Sequence, residues 1–452
     1  MRTVAALRCG SNSSNNSQTS RFSSRKSYMA AALHLSDIQK KQFSDKAGAE
    51  TDLLDFLREN EDQSIQKVEL QPKPESLNSL NGFVTFDNGE RFFFKTHTEE
   101  NEKVSEYYNA TELAKAGYPI ITSKQVTHRV GKQIVLYQII SYPTLFDLLK
   151  TEEDSCIKCA STAVSSTSTI LLNGQVDLDK MVFDIYAKNL TRASAEQQSK
   201  AVIHQLFSHR LAEDGRVGLF YRNKLLDLES TSIPFQTLAE MRWNINGVEY
   251  SQSLNEIIER SRTVLKPKEG AAVPGHGDAH NGNIFVDMEK QKFYMFDPAF
   301  AGKHHPLLDL TKPLFHNIFA RWMYFPDQVL QEFKLNYSIQ GNVIHILHDF
   351  KPSHLRISHL QSRINNVLAP TVALLKENGL LKDDWRTFVR SALFCCPFLT
   401  VNLLADYVPD GTLSQRYKPP VKLLGLAMAV ELGATKHSGS NPFTDLLDEI
   451  LA

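Results

Sequence analysis

The sequence predicts an α+β chain of two lobes, a small antiparallel-sheet lobe followed by a large, mainly helical one. Three observations predict it. Short β-rich runs separated by turn residues cluster between positions 67 and 141. Apolar residues recur at helical spacing through most of the chain after Pro306. Between them, the stretch 275–298 (GHGDAHNGNIFVDMEKQKFYMFDP) combines a polar loop with a short hairpin pattern.

Composition bounds the partners. Of 452 residues, 42% are hydrophobic and 22% charged, enough apolar material for two sizeable cores. Lys plus Arg is 50 against 51 for Asp plus Glu, so no net charge favours nucleic acid or an anionic membrane. No apolar run approaches the ~18 residues of a membrane span. A soluble chain that engages neither is expected, with its oligomeric state open. Five cysteines, an odd number, do not make a disulfide framework and suit a reducing compartment. Cys156 and Cys159 form a lone C-x-x-C without the second pair that zinc needs, and Cys395 and Cys396 read as core.

Residues 1–36 contain Arg2, Arg8, Arg21, Arg25 and Lys26 but no acid, and are rich in Ser and Asn. This is the composition of a mitochondrial or plastid transit peptide, or else of a disordered tail on a cytoplasmic protein, with Met29 an alternative start. The expected organisation is a leader over 1–36, a small sheet-rich lobe over 37–141 and a helical lobe over 142–452.

In the small lobe, KVEL begins the strands at Lys67. GFVTF and RFFFK flank Asp87-Asn88-Gly89-Glu90, a hairpin signal that predicts a primed turn at Asn-Gly. Val104, Tyr107, Tyr108, Leu113 and Ala114 give the next segment a helical stripe, which Gly117 and Pro119 stop. KQVTHRV and KQIVLYQII then predict two strands with a tight turn at Gly131-Lys132. Between 151 and 274 the pattern is mixed. STAVSSTST reads as a surface loop, 197–213 and 253–265 as amphipathic helices, and Asn246-Gly247 as the turn of a small hairpin. The segment FHNIFARWMYF after 315 reads as helical core. The acidic tail reads as a solvated last helix, with binding of a cationic acceptor as its alternative.

The chemistry concentrates at 275–298. IFVD and KFYMFD are two short strands joined by MEKQ, and a hairpin of that length brings Asn283 and Asp297 side by side. Asp278 lies five residues before Asn283, on the loop that enters the hairpin. An amide oxygen and a carboxylate are hard ligands suited to Mg²⁺, which keeps waters and binds few protein groups beside substrate phosphates. A further carboxylate nearby can take a proton from a hydroxyl nucleophile. That is equipment for phosphoryl transfer, where positioning and charge neutralisation do most of the catalysis. Such a site needs a cation for the nucleotide phosphates, which Lys95 at the end of RFFFK supplies, and an acid to orient it, which Glu106 offers. LYQIISYP, through Gln138 and Ile140, provides backbone groups that could read a purine edge. Ser76, Ser79 and Asn81, in the loop PESLNSLNG with its single Gly82, are candidates to donate to phosphate.

The chain resembles the aminoglycoside phosphotransferase and choline kinase family, which has a protein-kinase-like fold. HGDAHNGN at 276–283 matches its catalytic loop H-G-D-x-H-x-x-N. FDPAFAG at 296–302 stands where its metal-binding Asp segment falls, and HPLLDL at 305–310 resembles the D-P-x-x-D-L that follows. The resemblance spans 67–310. It implies Asp278 as catalytic base, Asn283 and Asp297 as magnesium ligands, Lys95 on the ATP phosphates with Glu106 paired to it, His276 as a loop brace and Asp309 as an anchor beneath. His280 either touches the acceptor or fixes the loop. His304 and His305 look like a metal pair but lack a third ligand, and more simply shape or underlie the acceptor cleft. The missing Gly-rich repeat departs from protein kinases, and Asp-Pro in place of Asp-Phe-Gly argues against one. The expected activity is ATP- and Mg²⁺-dependent transfer of the γ-phosphate to a small-molecule hydroxyl. Alternatives are a kinase-shaped nucleotide-binding regulator without turnover, and AMP transfer on the same scaffold.

Overall fold

The computed structural model describes residues 34–60, 62–72, 79–97, 106–126, 134–159, 165–228, 231–409, 411–440 and 448–449. The leader to residue 33, Ser76, the turn at 131–132, the side chains of Ser79, Glu106 and Cys159, and most of the acidic tail lie outside these residues.

The small lobe opens with two helices that the sequence pattern does not announce, α1 (Leu35–Lys41) and α2 (Lys46–Asn60). Leu53, Phe56 and Leu57 recur at three- and four-residue spacing and are buried with Leu35 and Ile38, so Leu35 belongs to the folded lobe rather than to a leader. Then come β1 (Ile65–Leu70), β2 (Ser79–Phe86), β3 (Arg91–His97), α3 (Glu106–Ala116), β4 (Gln125–Val126) and β5 (Ile134–Gln138), in the predicted order. They form an antiparallel sheet ordered β1-β2-β3-β5-β4.

The two Asn-Gly turns differ. At Asn246-Gly247 both residues take positive φ (52° and 81°) and Ile245 pairs with Val248, the primed form. Between β2 and β3 only Gly89 does (82°), while Asn88 Oδ1 accepts from Glu90 N at 2.8 Å. The expected primed turn is absent there because Asn88 spends its side chain on its own backbone. Gly82 and Asn81 are likewise not loop residues. Both are paired within β2, and a Cβ on Gly82 would stand 2.1 Å from Glu69 O, so this glycine permits the close approach of β1.

Side-chain alternation places the functional face. Leu80, Val84, Phe94, Ile134 and Leu136 point to α1 and α2 and make one core. Lys95 therefore points the other way, toward the large lobe, with Asn81 directly opposite on β2.

The large lobe starts with α4 (Leu145–Cys159) and α5 (Ser166–Asn189). α5 begins within the stretch expected to be a surface loop, because Ser165 caps it by accepting from Ser168 N at 2.9 Å. The single helix expected over 197–213 is instead Ala195–Ser199, a 3-10 turn Val202–Leu206 and Ser208–Leu211. Breaks at Ala201 and Phe207 let Ile203, Leu206, Phe207 and Leu211 all bury, so packing overrides the period. The helix Leu254–Val264 forms as expected behind a capping box of Ser253 and Glu256. Expectation also fails at Leu335–Gln340 and Val343–His348. These form a hairpin that joins the strand Arg242–Ile245 in parallel, closing a five-stranded sheet in a region read as helical. Elsewhere helices dominate. Pro306–His316, Trp385–Thr400 and Pro419–Gly433 carry the main core, with Phe315, Phe319, Trp322, Cys395 and Cys396 buried as expected. No helix among the described residues is long and apolar enough to cross a membrane.

Backbone hydrogen bonds stitch the lobes together. Met295 N donates to Pro119 O (2.8 Å) and Ile121 N to Met295 O (2.8 Å), while Val286 N donates to Pro143 O (2.9 Å), just past the end of the small lobe. The hairpin Ile284–Asp287/Lys292–Met295 is thus extended by chain from both sides of the sheet.

Candidate active site

The strand Gly270–Gly275 delivers the chain to the loop 276–283, and the hairpin returns it to Asp297. Phe296 N donates to Asn283 O at 3.0 Å, which sets Asn283 and Asp297 side by side as the hairpin length requires. Asn283 Nδ2 donates to Asp278 O at 3.0 Å, so its amide oxygen is the atom left for a cation. Asp297 sits at φ 54°, an uncommon conformation for a non-glycine residue that turns the backbone sharply after the hairpin. Lys95 Nζ reaches across from β3 to within 2.5 Å of Asp297 Oδ1. Lys95, Asp278, Asn283 and Asp297 therefore converge, with Asn81 beside Lys95.

Burial and braces hold the loop. His276 is fully buried, accepts from Asp278 N through Nδ1 (3.3 Å) and donates from Nε2 to Phe296 O (3.0 Å). Desolvation lowers its pKa, so a neutral ring braces loop to hairpin. Asp309 lies underneath. Its Oδ1 accepts from Gly277 N (2.5 Å) and His304 Nε2 (3.0 Å), and its Oδ2 from the Tyr186 hydroxyl. Burial pushes this carboxyl up, but His304, Tyr186 and Gly277 outweigh it and hold the pKa at about 2. Gly277 adopts φ +78°, and a Cβ there would stand 2.2 Å from Phe300 O, so the tight turn admits no side chain.

Asp278 itself faces two side chains. Lys312 Nζ lies 3.2 Å from Oδ1, and His280 Nε2 lies 3.9 Å from Oδ2. Burial raises the carboxyl pKa, but Lys312 and then His280 lower it further, and the net shift is downward. His280 also fixes the loop, its Nδ1 accepting from Gly282 N at 3.1 Å. A third brace begins with Asn281 N, which donates to Asn317 Oδ1 (2.7 Å). Arg356 Nη1 holds Asn317 O (2.8 Å), and Arg356 Nε pairs with the buried Glu153 on α4 (2.6 Å).

The remaining expected residues fall as follows. Glu106 opens α3, with its side chain outside the described residues. The same helix reaches the Asp297 segment through Asn109, whose Nδ2 donates to Ala301 O at 2.7 Å. Gln138 ends β5 and Ile140 follows in extended chain between the lobes. His304 packs under the loop on Asp309, whereas His305 caps the helix Pro306–His316 by accepting from Leu307 N (3.2 Å). Burial holds the His305 pKa at about 3. His305 lines a separate cavity of about 290 Å³ with His204, Leu265, Leu307, Trp385 and Phe388, which includes none of the loop 276–283. No group of three His, Cys, Asp or Glu side chains among the described residues is placed to share a metal. Asp448 of the tail pairs with Arg390 and with Lys436 (2.7 Å).

Sequence reasoning missed Lys312, Asn109 and Asn317. Lys312 left a signal, since it follows Asp309 by three residues on a helix and so shares its face. The others act across long sequence separations that no local pattern marks.

Over this stretch the chain is similar to a family of phosphotransferases. The family described as the phosphotransferase enzyme family matches residues 211–339, which hold Asp278, Asn283, Asp297 and Asp309, and the resemblance read from the loop motif stands there. No curated protein matches the chain. Among solved structures, a spectinomycin phosphotransferase is similar at 12% identity, over 84% of this chain and 98% of that one, with a TM-score of 0.38. An amicoumacin kinase is similar at 10% identity (85% and 86%, TM-score 0.37). An ethanolamine kinase from Plasmodium vivax is similar at 9% identity (88% and 84%, TM-score 0.38). Superpositions this loose carry no inference about substrate.

Proposed function

We propose that the chain transfers the γ-phosphate of ATP to a hydroxyl of a small molecule. The observation that carries this reading is the meeting of Lys95 and Asp297 at 2.5 Å from opposite lobes, beside Asn283 and the Asp278 loop. The acceptor hydroxyl would lie against Asp278. Its oxygen bonds to the γ-phosphorus, the bond from that phosphorus to the β,γ-bridging oxygen breaks, ADP leaves, and the hydroxyl proton passes to the Asp278 carboxylate. Lys95 holds the nucleotide phosphates, and Asn81 stands beside it on the cleft face. The Asn283 amide oxygen and the Asp297 carboxylate are the hard pair that would hold Mg²⁺, which when bound neutralises phosphate charge. His276, Asp309 and Asn317 keep the loop in place so that little reorganisation accompanies the reaction.

The test is Mg²⁺-dependent turnover of ATP labelled separately at the α- and γ-phosphates, against a pooled metabolite extract, with Asp278→Asn alongside. Product labelled from the γ-phosphate and lost in the variant supports the reading. Label from the α-phosphate would indicate AMP transfer, and nucleotide binding without transfer a regulator. The division into a nucleotide lobe over 37–141 and an acceptor lobe after it belongs to the same proposal, as does organelle targeting by the acid-free leader. N-terminal sequencing of the mature protein checks the latter.

A further inference from the structure

We propose that the acceptor carries an anionic group, a carboxylate or a phosphate, recognised beside Asp278 by Lys312 and Arg210. This rests on the phosphotransfer reading above.

Lys312 is buried, and its ion-pair partner among the described residues is Asp278, 3.2 Å away. A cation in contact with a general base lowers the proton affinity the base needs. That placement works against catalysis unless the lysine has a further task. Recognition of a second negative charge supplies one.

Arg210 makes the case independently. It lies on the short helix Ser208–Leu211, and Arg216 opens Arg216–Tyr221 close by. Both guanidinium groups hold the carbonyl end of the helix Trp385–Thr400. Arg216 donates to Leu399 O and Thr400 O, each at 2.9 Å, and Arg210 reaches Leu399 O at 3.4 Å. Neither has a carboxylate within 4.0 Å among the described residues. Two neighbouring half-buried guanidiniums without an acid are costly, since charges leave water readily only when paired. Burial, and then the charge of Arg216, hold the Arg210 pKa down at about 9, and the carboxylate whose field opposes this is Asp278.

The same groups act on one another's charge. Cys396, on the helix Trp385–Thr400, feels Lys312, Arg210 and Asp278 together. His316 feels Lys312, His280 and Arg210, and its ring lies 6.0 Å from that of His280. Burial keeps both histidines toward the neutral form. Asp297 is taken by Lys95 and Asp309 by Gly277, His304 and Tyr186, so the charged groups left to act beside Asp278 are Lys312 and Arg210. A polyamine-like acceptor would meet repulsion there. A neutral alcohol would leave Arg210 desolvated and unpaired. A hydroxy acid or a phosphorylated alcohol would complete the pairing, its anionic end on the cations and its hydroxyl at Asp278.

The experiment separates a pooled small-metabolite extract at pH 8 into anionic, neutral and cationic fractions on ion-exchange resins. Each fraction is offered to the full chain with Mg²⁺ and γ-labelled ATP. The expected result is label transferred to the anionic fraction and abolished by Asp278→Asn. With that fraction, Arg210→Met should raise the half-saturating acceptor concentration at least tenfold and leave that for ATP unchanged, and Arg210→Lys should recover part of the loss. Label from the neutral or cationic fraction overturns the anionic acceptor while phosphotransfer stands. Label from no fraction overturns the phosphotransfer reading and this inference with it. The fractionation uses the unsubstituted protein, so its outcome does not depend on whether Arg210→Met folds.

Discussion

Lys95 and Asp297 stand 202 residues apart in the chain and 2.5 Å apart in space, one on the sheet of the small lobe and one at the end of the large-lobe hairpin. On the proposed reading, their pairing would keep two opposite charges in register for a polyanion and its counter-cation. Asp297→Ala should weaken Mg-nucleotide binding by about an order of magnitude or more, as read by calorimetry with a non-hydrolysable analogue. Lys95→Met should raise the KM for ATP, and the double variant should lose less than the sum, because the two residues share one partner set. Strict additivity would show that they act on different ligands.

Asp278→Asn keeps the size of the side chain and removes its ability to accept a proton. Turnover should fall by roughly two or more orders of magnitude, the usual scale of a general base, with nucleotide affinity near normal. Unchanged turnover would remove Asp278 from the mechanism.

The pH profile follows from the same carboxylate. Its pKa is lowered in the folded protein, so Asp278 loses its basic form only below the ordinary carboxylate range. Turnover should therefore show no acid limb from this residue between pH 5 and 7. In Lys312→Met the depressing cation is gone, and an acid limb should appear at higher pH than in the unsubstituted protein. A pH–rate curve that does not move would mean that Lys312 does not set the Asp278 pKa.

Asp309 governs stability rather than chemistry. Its folded pKa of about 2 lies below the unfolded value of 3.8. Its stabilising contribution is fully present above the unfolded value and is lost as pH falls toward 2. The linkage is on the order of 2 kcal/mol. Asp309→Asn should lower stability near neutral pH by a similar amount and flatten the acid side of the unfolding curve, measured by urea denaturation from pH 3 to 7. An unaltered acid dependence would point to another carboxyl.

The brace through Arg356 and Glu153 is buried on both sides. Removing one partner strands a charge, so Arg356→Met should destabilise by about 3 kcal/mol or more, whereas replacing both residues with apolar ones should cost less. Turnover should fall with the single change because Asn317 loses the guanidinium that holds it. Differential scanning calorimetry of the single and paired variants decides it.

How much of this was legible varied with range. The hairpin of the candidate site was readable because all its parts lie within 24 residues, where strand period and turn length fix geometry by themselves. The sheet of the small lobe was readable for the same reason, and its alternation put Lys95 on the cleft face. What failed was decided by packing. α1 and α2 have a weak stripe that makes sense only against the sheet. The breaks at Ala201 and Phe207 follow from burial of Ile203 and Leu211, and the hairpin at 335–348 gains its place by pairing with Arg242–Ile245. Asn88 shows the limit at the smallest scale, where one side-chain hydrogen bond chose between two turns. At the candidate site the motif residues come together in space, while their neighbours Lys312 and Arg210 belong to no motif.

The backbone bonds from Met295 to Pro119 and Ile121, with Val286 to Pro143, have a mechanical meaning. They tie the lobes at a seam two residues from Asp297, so any rotation of one lobe on the other must pivot about that seam. Asp297 sits almost on the axis and barely travels, while Lys95, out on β3, rides a longer lever arm. Opening and closing would then be a change in the reach of the lysine toward a stationary carboxylate. Spin labels placed on the small-lobe sheet and on the hairpin would measure that arm directly.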